Sequence, residues 1–159
     1  MTDHVRAQIR DAAVTALKGV IGLSGIGKRV YATRRLPLQT EHLPALLVYA
    51  LAEESAPETL SGPRFLNRDL DLLVEGVAQD NDDLDAVLDE IAAAAETILG
   101  AAFANPASAL RQLVRAGSLA GTQIGLRPPQ SPDELGTGHV VLTYRVNYRT
   151  RSENPKLII

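Results

Sequence analysis

The chain has 159 residues, 45% of them hydrophobic and 22% charged, which fits one soluble domain with a real core and excludes wholesale disorder. A net charge of −3 and a pI of about 5.6 argue against a dedicated nucleic-acid binder, and the lack of Trp with only 4% aromatics argues against a base-stacking surface. The lack of Cys excludes disulfides and thiolate metal sites, no apolar run approaches the ~18 residues of a membrane span, and Met1 to Arg6 carries no signal core.

Val5, Ile9, Ala12, Ala13, Ala16 and Leu17 recur at helical spacing and predict a first helix, with Thr2 or Asp3 as its cap and Gly19 and Gly22 as its stop. Residues 22–28 read as a flexible glycine turn, and residues 29–32 as a short strand. Pro37 and Pro44 make residues 33–44 a loop. The apolar run 45–51 fits a central strand buried on both faces. A second loop, 52–65, follows. From 66 to 78 the pattern alternates, with Leu66, Leu70, Leu72, Val74 and Ala78 on one face and Asn67, Asp69, Asp71 and Glu75 on the other. That period predicts an antiparallel strand with one wet face.

Leu84, Val87, Leu88, Ile91, Ala95, Ile98 and Leu99 form the apolar stripe of a second helix. The acidic run 80–83 before it reads as a cap that suits the helix dipole. Asn105 and Pro106 end it, and residues 108–115 suit a short third helix. Residues 117–127 form a weaker strand candidate, 128–138 a third loop, and 139–150 the strongest strand, with Val140, Leu142, Tyr144, Val146 and Tyr148 on one face. Residues 151–159 read as a tail, mobile or ordered by a partner. Strands outnumber crossovers. The predicted fold is therefore α+β: one domain over residues 1–150, in the order α-β-β-β-α-(α)-β-β, with a mostly antiparallel sheet of about five strands and two main helices on one face. Three loops of about a dozen residues exceed the usual connection length and mark candidate functional surface.

Chemistry-bearing motifs are scarce. Residues 22–28 match the spacing of a phosphate loop ending at Lys28, but Arg29 stands where a magnesium-binding hydroxyl is needed. The order helix-turn-strand is also the reverse of the strand-loop-helix that aims amides at phosphate. His4, His42 and His139 lie in separate segments without metal-ligand spacing. Asp69 and Asp71 share a strand face, and Arg145 and Arg149 on the last strand are their natural partners. No nucleophile elbow or calcium loop occurs. These readings imply no catalytic residue, no cofactor and no metal. A small nucleotide-using enzyme exploiting Lys28 is the alternative from another class.

The stretch 30–49, VYATRRLPLQTEHLPALLVY, resembles the tail-terminator family of long-tailed phages (minor tail protein U-like). VEGVA at 74–78, DDLD at 82–85 and LTYRVNYRT at 142–150 agree in order and spacing, so the resemblance runs from the first helix to Thr150. It implies a virion structural protein assembled in the host cytoplasm. Such a subunit forms a ring, typically a hexamer, that ends tail-tube growth and offers a surface for head joining. The implied partners are further copies of itself, the tail-tube protein and a head connector or portal-side protein. DNA passes through such a ring without specific binding. A head-side neck adaptor is the alternative within assembly. Arg34, Arg35, Glu53, Glu54 and Arg64, in or beside two of the long loops, are the candidate interface residues.

Overall fold

The computed structural model describes residues 3–19, 23–32, 42–80 and 83–159. Helix α1 (Val5–Leu17) is followed by a 3-10 helix (Leu23–Lys28), β1 (Val30–Tyr31), β2 (Ala45–Pro57) and β3 (Phe65–Asp80). Then come α2 (Leu84–Ala104), α3 (Ala109–Leu113), β4 (Ala116–Arg127), β5 (Gly136–Arg151) and β6 (Asn154–Ile158). The fold is α+β, with the six strands in one sheet of order β1-β2-β3-β5-β4. Among the described residues, every pairing is antiparallel except β1 with β2. Strand β6 pairs β5 beyond the start of β4, so β4 and β6 lie end to end along the same edge of β5.

The long strands follow from period-two patterning. In β5, Val140, Leu142, Tyr144, Val146 and Tyr148 are all buried, and they form one core with Leu70, Leu72 and Val74 of β3. The helices close this face. Val5, Ile9, Ala13 and Leu17 of α1 and Leu88, Ile91, Ala95 and Leu99 of α2 are buried in the same cluster. Two glycines let α2 lie close to the sheet. A Cβ on Gly76 would sit 2.5 Å from Ile91 Cγ2, and one on Gly117 would sit 2.3 Å from the Phe103 ring. A side chain at either position would push the helix away.

Several elements differ from the sequence reading. The cap of α1 is His4, whose Nδ1 accepts from the Arg6 amide at 3.2 Å, and not Asp3; Thr2 lies outside the described residues. Asp83 holds the N-cap position of α2 without a side-chain cap bond, so its role there is electrostatic. The glycine turn is a 3-10 helix anchored by Ile26, which is buried in the core. Strand β2 is buried only over its first four residues, then emerges at Leu51 and continues to Pro57. Residues 52–57 of the predicted loop 52–65 are therefore one arm of a long β2–β3 hairpin, and 58–64 are its connection. The outer face of β3 is drier than its alternation implies, because Leu73 and Val77 are buried there too. Residues 151–159, read as a mobile or partner-ordered tail, instead turn back and pair with β5 of their own chain. Of the loop at 33–44, residues 33–41 lie outside the described residues. The third loop is shorter than expected, since β5 already starts at Gly136.

A buried polar cluster and two exposed strand ends

Among its described side chains, strand β3 carries one charge on its core face. Arg68 lies between Leu66 and Leu70 in the alternation, so its guanidinium points where apolar side chains belong. It is 8% exposed. Glu53 of β2 answers it, with Arg68 Nη1 to Glu53 Oε1 at 2.6 Å. Arg68 Nε also donates to Thr150 Oγ1 at 3.0 Å. The Tyr148 hydroxyl donates to the second oxygen of Glu53, and Arg6 of α1 reaches the carboxylate at 3.6 Å. One carboxylate thus ties α1, β2, β3 and β5 together just past the β2 bulge at Leu51. Burial, then the bond to Glu53, pushes the Tyr148 hydroxyl above its usual range. Burial, then the neighbouring Arg6 cation, lowers the His4 imidazole, with Glu53 opposing.

On the outer side, Arg145 approaches Asp71 at 2.9 Å, the pairing that the alternation implies. Asp69 instead accepts from Asn147 at 2.9 Å. Arg149 approaches Glu58 at 2.8 Å and lies over the Phe65 ring at 4.3 Å. Arg115 also reaches Glu58, at 3.1 Å. Glu75 accepts from the Tyr49 hydroxyl at 3.2 Å.

Strand β4 is exposed along almost its whole length. Its residues opposite the core positions of β5 include Leu119, Ile124 and Leu126, all partly exposed beside α2. A cleft of about 280 Å³ opens there, between Glu96, Gly100 and Phe103 of α2 and Ser118 and Leu119 of β4, with Tyr144 in its wall. Burial, then Glu96, raises the Tyr144 hydroxyl to about 12.

The candidate interface residues fall in different settings. Arg34 and Arg35 lie outside the described residues. Glu54 and Arg64 are exposed, on β2 and at the β2–β3 turn. Glu53 faces inward, because adjacent strand residues point to opposite faces. Lys28 is exposed at the end of the 3-10 helix. The polar cluster escaped the loop reading of 52–65, although Arg68 in an apolar period-two row was its visible sign. Among the described residues, no three His, Asp or Glu side chains group as metal ligands, and no helix is long and apolar enough to cross a membrane.

The fold and these side chains define an α+β protein whose interior polar groups bind strands and helices to one another. No family model matches the sequence, and no curated protein matches it. Among solved structures the chain is similar to one from the virion of a native gene transfer agent particle, at 14% identity and a TM-score of 0.39. That similarity covers 89% of this chain and 94% of the other.

Proposed function

We propose that the chain is a structural subunit of a phage-like virion, and specifically a tail terminator that forms a ring on the end of the tail tube. It stops tube growth and presents a surface for head joining, without catalysis or a cofactor. The observation that supports this is the succession of resembling stretches. VEGVA falls on β3, DDLD includes the start of α2, and LTYRVNYRT runs along β5. LPALLVY enters β2, whose first four residues are buried. A rigid sheet with long exposed strand ends is the kind of scaffold from which assembly contacts are built. The partners on this reading are further copies of the chain, the tail-tube protein and a head-side connector. The test is electron microscopy of tail tubes incubated with the purified protein, together with its mass in solution. Rings seated on tube ends support the reading; a chain that neither binds tubes nor blocks their growth refutes it. Preference for the head portal over the tube points to a neck adaptor.

A further inference from the structure

The sheet is long enough for its two ends to differ. Strand β5 has 16 residues, so at about 3.3 Å per residue it is roughly 50 Å long. One end lies at Gly138, where a Cβ would meet Leu84 and Leu88 of α2 and Leu126 of β4. The other lies at Thr150 and Arg151, which pair with β6.

Each end carries an exposed apolar group. Ile124, Leu126 and Leu135 stand at the first, and Leu157, Ile158 and Ile159 at the second, with exposures of 39% to 57%. Their charges are opposite. At the first end, helix α2 opens with Asp83, Asp85 and Asp89 exposed and contains no Lys or Arg, and Asp133 and Glu134 sit in the β4–β5 turn. At the second end, Arg64, Arg151 and Lys156 are exposed, and Arg64 is held there by the bond from the Ser152 amide to its carbonyl at 2.8 Å. Lys28, just before β1, and Arg127 offset part of the first end's charge, to which Glu90 adds, while Glu153 and Asp3, whose carbonyl shares the Gln8 amide donor with that of Lys156, offset part of the second's, which leaves the first end net acidic and the second less strongly basic. Among the described residues, none of these acidic or basic groups is in an ion pair, whereas Arg68, Arg115, Arg145 and Arg149 all are.

We infer that the acidic, apolar end of one copy receives the basic, apolar end of a second copy, in a head-to-tail contact. Two different patches that complement each other make a heterologous contact, which closes into a ring or continues as a filament. Opposite charge sets the orientation and supplies part of the attraction, to which the apolar surface adds. The inference deepens the ring reading and rests on it for the second copy.

The experiment compares mass in solution over a range of concentrations for four forms of the full chain. These are the wild type, Arg151→Glu with Lys156→Glu, Asp85→Lys with Asp89→Lys, and all four substitutions together. All four residues are exposed, so circular dichroism should show the fold kept. The wild type should self-associate. Each double variant should lose at least about tenfold in affinity through like-charge repulsion. Mixing the two double variants, or combining all four changes in one chain, should restore association. Leu157→Ser should weaken it with the charges intact. A wild type that stays monomeric, double variants that associate like it, or no rescue by the reversed pair would overturn the contact. Capping of tail tubes separates this from the terminator reading. Double variants that cap as well as the wild type sink the contact alone. A wild type that shows the charge-dependent contact yet ignores tubes sinks the terminator reading alone.

Discussion

Replacing Glu53 by Gln tests how the arm of the β2–β3 hairpin is fixed. The carboxylate holds Arg68 at 2.6 Å, accepts from Tyr148 and faces Arg6, and both members of the Glu53–Arg68 pair have side chains about a tenth exposed. The amide cannot balance the guanidinium, and Arg68 then keeps Thr150 as its hydrogen-bond partner but no buried counter-charge. Breaking a buried pair from one side costs about 3–5 kcal/mol. That is a large share of the roughly 5–15 kcal/mol that stabilises a domain, and it corresponds to a Tm loss of roughly 10–15 °C for a chain of this size. Urea denaturation at fixed protein concentration measures it. The triple variant Glu53→Leu, Arg68→Met and Tyr148→Phe removes both charges and the hydroxyl that Glu53 accepts from, and should recover much of the loss, because an apolar cluster of similar size avoids desolvation. Tyr148→Phe removes one bond to a charged acceptor and should cost about 1.5–3 kcal/mol. A Glu53→Gln cost below about 1 kcal/mol, typical of a solvent-screened pair, would refute the cluster as the anchor of the arm.

Gly76→Val should destabilise by about 1–3 kcal/mol, since its Cβ starts 2.5 Å from Ile91 Cγ2. Gly121→Ala, with nothing within 4 Å, should change stability by less than about 0.5 kcal/mol in the same denaturation assay. Tyr144 and Tyr148 hold their protons more tightly when folded than unfolded. Their contribution is therefore complete below about pH 10 and is lost as pH rises towards about 12 and beyond, so tyrosinate absorbance should appear in step with alkaline unfolding. His4 is shifted the other way. Its contribution is present above pH 6.5 and is lost as pH falls through its lower folded value. His4→Asn keeps a capping acceptor for α1 and should flatten that acid slope in a stability-versus-pH series.

Strand β5 and helix α2 were legible because each buries one face and exposes the other, which writes a period into the residues. Strand β2 was legible only to Leu51. Beyond it the inward position is taken by the charged Glu53, so no apolar alternation exists, and Glu53, Glu54 and Pro57 carry the chemistry of a loop. The lack of a buried face also weakens the signal of β4, still readable over 117–127, where Ser, Gly and Thr alternate with a few apolar side chains at an edge. Strand β6 is five residues long and contains Pro155, which argues locally against a strand. It forms because the edge of β5 past Ala116 offers main-chain partners, as in the bond from the Ile159 amide to the Arg149 carbonyl at 3.2 Å. Of the polar cluster, Arg68 could be placed inside by counting in twos. Glu53 could be placed only after the pairing of β2 with β3 was known.

The two uses of charge in this chain should respond differently to salt. Screening acts over roughly 8–10 Å at ordinary ionic strength and reaches exposed groups far more than buried ones. Glu53 and Arg68 are in direct contact with little water around them, so folding stability should change little when salt rises several-fold. Asp85, Asp89, Arg151 and Lys156 are exposed, so attraction between the ends of two copies should weaken over the same range. Measuring urea stability and solution mass in one salt series separates these effects. Association that falls while stability holds is the expected pattern. Association that strengthens with salt would mean that the apolar side chains, Leu126 and Leu157 among them, dominate the contact and that charge does not orient it.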